Sequence, residues 1–259
     1  MPKYIDYGFE GRAAIVTGAG TGIGRACAIE LAQGGAAVAL FGRRADKLEE
    51  TKTECLKYTN RVLALSVDVS DETSVKDGVT AVLAVFGRID ILVNNAGIES
   101  ELAPGQTFAD LFETQNSEEY LKFFKIHSLG HYLMSLAVLP TMKAAQFGRV
   151  VNITSVCGVD GQYSTAAYVS SKGAANTQTK AFASKYAPEN IIFNSISPGM
   201  VNTPMKAHAS PEEFKAVADI TPLGRVAEPL DIARVAMFFA QEHLFVVGQN
   251  IIVDGAAHI

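Results

Sequence analysis

The sequence predicts a doubly wound α/β fold, a parallel sheet of about seven strands in a single domain spanning 1–259. Three observations carry that prediction. Residues 13–16 (AAIV) form a short apolar run suited to a buried parallel strand, and it ends in a turn with glycines at 18, 20, 22 and 24. Beyond the turn Ile23, Ala26, Cys27 and Leu31 recur at helical spacing, so the unit reads strand, glycine turn, helix. Further short apolar runs alternate with helical stretches, and no linker or low-complexity tract divides the 259 residues.

Composition narrows the partners. A net charge of −5, with no basic cluster beyond Arg43-Arg44, argues against nucleic acid or an anionic membrane surface and leaves a small molecule as the expected partner. Three scattered cysteines, Cys27, Cys55 and Cys157, are too few for a disulfide framework or a zinc site, so no metal is expected. The first twelve residues are charged and lack the apolar core of a secretory signal. The most apolar later run, 132–139, is far shorter than the roughly 20 residues that span a bilayer. A cytoplasmic location is the resulting expectation.

The elements follow in order. The glycine turn lets a diphosphate approach the backbone, where the free N–H groups and dipole of the following helix hold its charge. A second strand, 36–41, ends at Gly42-Arg43-Arg44. In dinucleotide folds this point meets the adenosine ribose, where an acid suits NAD and an arginine suits the 2′-phosphate of NADP. Gly42 stands in the acid's place and Arg43 follows, which favours NADP(H) and leaves NAD(H) open. The plain reading is a solvated arginine pair opening a helix over 45–57.

A third strand, 62–67, runs into Asp68, and Ser70 is positioned to cap the next helix. A fourth, 91–93, ends in Asn94-Asn95-Ala96-Gly97, whose amides suit the tying of strand ends while the Ala96-Gly97 backbone passes a ligand. Residues 98–116, with Pro104, Gly105 and Gln106, read as irregular and belong at the rim of a substrate site. A helix resumes at Ser117, a cap without a full capping box, and continues through Pro140. Gly130 and the aromatics Tyr120, Phe123, Phe124 and Tyr132 suggest that it packs on the sheet and on another subunit. A fifth strand, 148–153, carries Ser155 beyond its carboxyl end, where open parallel sheets bind ligands. Tyr168 and Lys172, four apart, share one helical face, and a sixth strand covers 191–196.

The general GxGxxG fingerprint fits no register of the glycine turn, which reads Thr17-Gly18-x-x-x-Gly22-x-Gly24. That spacing, the Asn94–Gly97 tetrapeptide and Ser155 thirteen residues before Tyr-x-x-x-Lys together resemble the short-chain dehydrogenase/reductase family over nearly the whole chain. The resemblance implies a Rossmann-type sheet and NAD(P)-dependent interconversion of a secondary alcohol and a ketone. It implies cofactor contacts from Gly18, Thr21, Gly22, Ile23 and Gly24, from Asp68 and Val69 at the adenine, and from Asn95, Ala96 and Gly97. Pro198, Gly199, Val201 and Thr203 match the family's PGxVxT turn, where Val201 and Thr203 meet the nicotinamide carboxamide. It further implies that Lys172 bonds the nicotinamide ribose, that 249–254 is the last strand, and that the protein is a homo-oligomer, tetramer or dimer.

The chemistry of the constellation has a physical account. Ketone reduction supplies a proton to the developing alkoxide, and tyrosine with a pKa of about 10 shuttles protons poorly near neutrality. The Lys172 ammonium one turn away favours tyrosinate, so Tyr168 is the expected general acid and base, with Ser155 donating to the substrate oxygen. One departure stands out: the family's fourth catalytic position, an asparagine that holds a water, falls on His127. Two readings follow, an imidazole that continues a proton relay and a packed helix histidine. Cys157 reads as small apolar packing near the pocket, and Gln162 and Tyr163 either touch substrate or form loop surface. Residues 204–225, with Met205, His208 and Phe214, read as a substrate lid whose helix starts at Ser210-Pro211; His208 reads as lid surface. Met200, Met205 and Phe214 hint at an apolar pocket. The competing class is a cofactor-binding regulator with little turnover, and the fold does not choose the substrate.

Overall fold

The computed structural model describes residues 7–100, 108–162, 164–207 and 209–258. Strand β1 (Ala13–Thr17) is buried along its length, and its side chains alternate between two apolar clusters: Ala14 and Val16 enter one, Ala13 and Ile15 the other. A strand covered on both faces needs no polar side, which is why its sequence is continuously apolar. The chain continues through α1 (Gly22–Gln33), β2 (Ala37–Gly42), α2 (Ala45–Cys55), β3 (Val62–Ser66), α3 (Glu72–Phe86) and β4 (Ile91–Asn94). Next come α4 (Phe108–Thr114), α5 (Ser117–Phe124), a π-helical turn (Lys125–Leu129), α6 (Gly130–Ala145), β5 (Gly148–Ile153), α7 (Cys157–Asp160) and α8 (Ala166–Tyr186). The last elements are β6 (Ile191–Pro198), α9 (Pro211–Ile220), α10 (Pro229–Phe239) and β7 (Asn250–Val253).

All seven strands pair in parallel, in the order β3-β2-β1-β4-β5-β6-β7. The chain reverses its direction of travel across the sheet between β1 and β4, and a crevice opens at the carboxyl ends there. One cluster joins α1 and α10 to the sheet through Cys27, Leu31, Ile232 and Met237. The other joins α3 and α6 through Val75, Val79, Met134 and Val138. The doubly wound single domain read from the sequence is therefore the observed fold.

Local expectations are corrected at several points. Ser70 does not cap α3: its N–H and hydroxyl both donate to Oδ1 of Asp68, at 2.9 and 2.6 Å, while Asp71 accepts the N–H of Ser74. A carboxylate one residue nearer the helix wins the cap. Ser117 likewise yields to Asn116, which forms a full capping box with Glu119. The supposedly irregular stretch 98–116 contains α4, and its Pro104, Gly105 and Gln106 lie outside the described residues. The helix expected from 117 runs on to Ala145 but widens into the π-helical turn at its centre. Helix α2 stops at Cys55, not 57, and β2 takes in Gly42. No described helix is long and apolar enough to cross a membrane, and all three cysteines are free.

Candidate active site

The glycine turn is built for close approach. A Cβ on Gly24 would lie 2.3 Å from the carbonyl oxygen of Gly18 and 2.4 Å from Nδ2 of Asn95, so α1 begins in contact with the backbone of the glycine turn and with the Asn95 side chain just beyond β4. Asn95 secures that contact: its Nδ2 donates to the carbonyls of Thr17 and Gly18 at 3.0 and 3.3 Å. Thr17 Oγ1 in turn accepts the N–H groups of Asn95 and Ala96 at 2.9 and 3.0 Å. Asn94 ties the next junction, donating to Oδ1 of Asn152 at 2.9 Å. Thr21, at the N-cap of α1, makes no side-chain capping bond, and the helix has no acid in its first turn. Its leading N–H groups and positive end thus fit a diphosphate.

A cleft is lined by Gly18, Gly42, Arg43, Asp68, Val69 and Ala96. Arg44 and Lys47 line it as well, and Nη2 of Arg44 donates to Thr21 Oγ1 at 3.2 Å. Partial burial pushes the Asp68 carboxyl up, but the two bonds from Ser70 and the charge of Arg43 leave it below its ordinary value. Asp68 therefore stays an ionised acceptor, with Oδ1 already engaged by Ser70. Val69 is buried against α6, where a Cβ on Gly130 would come within 2.9 Å of its Cγ2.

At the carboxyl ends of β4 and β5 the structure brings Ser155, Tyr168, Lys172 and His127 together. Thr165 caps α8, accepting from the Tyr168 N–H, and so starts the helix that carries Tyr168 and Lys172. Nζ of Lys172, almost wholly buried, donates to the Ile153 carbonyl at 3.1 Å and stands 5.9 Å from the Tyr168 ring centroid. Burial lowers the Lys172 ammonium to about 8. Burial also pushes the Tyr168 phenol well above its ordinary value, the charges of Cys157 and Glu99 push the same way, and a hydrogen bond with Ser155 draws it partly back. The expected tyrosinate is thus not what the surrounding protein groups favour: desolvation wins, and the phenol stays protonated near neutrality.

His127 sits in the π-helical turn, fully buried. Its Nε2 accepts the Ile98 N–H at 3.0 Å, and its Nδ1 lies 2.9 Å from Ser171 Oγ. Burial first, then the Lys172 charge, holds the imidazole well below its ordinary pKa. The ring meets Tyr168 edge-on at 5.3 Å, with Phe123 edge-on to both. Ile98, Phe123 and Ser171 were not singled out as site residues. Phe123 was visible as a helix aromatic, whereas nothing local marks Ile98 or Ser171.

The remaining residues close the cleft. A Cβ on Gly22 would come within 3.1 Å of Thr203, so the turn after β6 stands against the glycine turn. Val201 is buried and bridges to Ala227, and Gly199 lies against Asp254 at the end of the Pro198-Gly199 turn. Ile23 is partly exposed at the start of α1. Thr203, Lys206 and Phe214 line a groove, while α9 has no buried residue and Met205 is exposed. Burial pushes the Cys157 thiol up, which suits its packing role, and Gln162 is surface. Tyr163 and His208 lie outside the described residues.

Known proteins resemble this chain along almost its full length. The family model described as short chain dehydrogenase matches residues 12–213. The 2-(R)-hydroxypropyl-CoM dehydrogenase of Xanthobacter autotrophicus is 36% identical over 249 residues, covering 95% of this chain and 98% of that protein. Cyclopentanol dehydrogenase of a Comamonas species is 35% identical over 247 residues, covering 94% and 96%. Among solved structures, a 3-ketoacyl-(acyl-carrier-protein) reductase from Brucella melitensis, complexed with NADH, aligns with a TM-score of 0.87 at 31% identity over 97% of this chain and 100% of that one. With a glycine turn, a Ser-Tyr-Lys cluster and relatives that match along almost its full length, the chain belongs to the short-chain dehydrogenase/reductase family of oxidoreductases.

Proposed function

We propose that this protein interconverts a secondary alcohol and a ketone, with NADP(H) preferred over NAD(H) and Tyr168 as general acid and base. The observation that carries the reading is the meeting of Ser155, Tyr168 and Lys172 at the strand ends beside the glycine turn. When bound, a nicotinamide cofactor gives or takes the hydride, and its oxidised ring brings positive charge that favours tyrosinate.

The chain's own residues do the rest. Gly18, Thr21, Gly22, Ile23 and Gly24 hold the diphosphate, Asp68 and Val69 the adenine, and Asn95, Ala96 and Gly97 the near ribose. Arg43 takes the 2′-phosphate, supported by Gly42 in place of an acid and by Arg44 and Lys47 lining the same cleft. Pro198, Gly199, Val201 and Thr203 orient the nicotinamide. Ser155 donates to the substrate oxygen, stabilising the charge that grows there. The protonated phenol of Tyr168 gives its proton to the alkoxide in reduction, and Lys172, held by the Ile153 carbonyl, bonds the nicotinamide ribose. His127 positions the Gly97-Ile98 turn against α8. Residues 204–225 form the lid. Exposed Leu121, Leu129, Tyr132 and Leu136 on neighbouring turns support a homo-oligomer, tetramer or dimer.

The test follows reduced-nicotinamide absorbance with NADPH and NADH over a panel of ketones, with Tyr168→Phe as the blank and Arg43→Ala beside it. We expect ketone-dependent oxidation that Tyr168→Phe abolishes, and a preference for NADPH that Arg43→Ala removes. Undiminished turnover in Tyr168→Phe overturns the catalytic assignment, and equal affinity for both cofactors overturns the NADP(H) preference. A cofactor-binding regulator instead predicts binding with no ketone-dependent signal.

A further inference from the structure

Two charged side chains that this reaction does not use meet beside the groove that Lys206 lines. Glu99 lies two residues beyond Gly97, and Lys206 lies in the short 3-10 turn Pro204–Lys206 where the lid begins. Nζ of Lys206 donates to Oε1 of Glu99. The Glu99 side chain is 9% exposed and that of Lys206 25%, so the pair is largely shielded from water. The Glu99 charge bears on the Tyr168 phenol, the Lys206 charge bears on Cys157 two residues beyond Ser155, and Lys206 lines a groove with Thr203 and Phe214. The second carboxylate oxygen, Oε2 of Glu99, is buried and has no hydrogen-bond partner among the described residues. A buried acceptor in that state calls for a donor.

We propose that Glu99 is a specificity residue whose Oε2 accepts a hydrogen bond from a second hydroxyl of the substrate, so that the preferred substrates are diols and hydroxyketones rather than plain alcohols and ketones. The inference rests on the alcohol–ketone reading and names its substrate class. Alternatives fail on charge. An anionic substrate that captured Lys206 would strand Glu99 as a buried carboxylate without its partner, a costly exchange. A cationic substrate would suit Oε2 but set a second positive charge beside Lys206. A neutral hydroxyl satisfies Oε2 and leaves the ion pair intact. A site built to bond a hydroxyl rejects the analogue that lacks it, because its own polar group is then left unpaired.

The experiment compares kcat/KM for butane-2,3-diol against butan-2-ol, for pentane-2,4-diol against pentan-2-ol, and for 3-hydroxybutan-2-one against butan-2-one. Wild type, Glu99→Gln and Glu99→Ala are measured with the same cofactor. We expect wild type to prefer a hydroxylated member by at least about tenfold. In Glu99→Ala that preference should fall to within about threefold of parity, and Glu99→Gln, nearly isosteric and still an oxygen acceptor, should retain part of it. Equal kcat/KM within every pair for wild type, or an undiminished preference in Glu99→Ala, overturns the proposal. Calorimetric titration of the NADP⁺-loaded protein with the same diols gives a second readout. Diol binding that Glu99→Ala loses supports the assignment even if nothing in the panel turns over, which would count against the alcohol–ketone reading alone. Absence of diol binding together with absence of any preference sinks the Glu99 assignment whatever the fate of that reading.

Discussion

Nε2 of His127 takes the Ile98 N–H, so that nitrogen carries no proton and the ring's hydrogen sits on Nδ1. Ser171 Oγ spends its own hydrogen on the Tyr168 carbonyl at 2.8 Å, which leaves it to accept from Nδ1. Every hydrogen in this chain of bonds is accounted for, and none is left to titrate. Protonating the ring would break the Ile98 bond inside a buried site, consistent with its strongly lowered pKa. Of the two readings open at the sequence, the geometry therefore favours a positioning histidine over a proton relay. The expected outcome is that kcat/KM profiles for wild type and His127→Asn have the same shape from pH 5 to 8. The variant should lose about 1–3 kcal/mol of stability, since Ile98 loses its acceptor. An ionisation present in wild type and missing from His127→Asn would restore the relay reading.

Elements were legible where periodicity or glycine spacing speaks locally. The first six strands were located to within a residue or two, because buried parallel strands are short and apolar on both faces. Caps were less legible: Asp71 and Asn116 displaced Ser70 and Ser117 because neighbouring side chains compete for the same N–H groups, and spacing alone does not rank them. The π-helical turn at His127 adds no composition signal. The Glu99–Lys206 pair was out of reach because its members lie 107 positions apart. The junction of β1 and α1 carries the sharpest prediction at this scale. In Gly24→Ala the new methyl would meet the Gly18 backbone and Asn95, and neither can retreat without releasing the bonds that tie β4 to the glycine turn. We expect at least about a tenfold weaker NADPH dissociation constant by fluorescence titration, with about 1–3 kcal/mol lost from stability. Wild-type cofactor affinity in Gly24→Ala would show that the diphosphate does not lie against this turn.

Across the whole molecule the sheet joins a cleft lined by Arg43, Arg44, Lys47 and Asp68 to a cluster in which burial holds Tyr168, His127 and His131 uncharged near neutrality, and this couples stability to pH. His131, one turn beyond His127, is wholly shielded, and neither ring nitrogen has a partner among the described residues. Burial, then the Lys172 charge, lowers it to about 3. The groups facing it are Lys172, itself lowered to about 8, and His127, also held down. The unfolded chain would bind a proton at His131 near its ordinary pKa of about 6.5. The unfolded state therefore binds more protons than the folded one below that value. Stability from this group is whole above about pH 6.5 and drains away as pH falls toward 3. The Lys172 contribution is lost higher, as pH drops from about 10.4 through 8, so it is constant across the acid range. Carboxylates with lowered pKa, such as Asp68 and Asp231, add to acid unfolding but act alike in a His131 variant. His131→Leu isolates the term, since it keeps an apolar group of related size and cannot charge. Urea denaturation at pH 7, 6, 5 and 4 should show stability falling less steeply in His131→Leu, the two curves separating by about 1 kcal/mol per pH unit below pH 6. Parallel curves would mean that His131 opens to solvent or gains a partner when charged, and that the acid limit of this fold lies elsewhere.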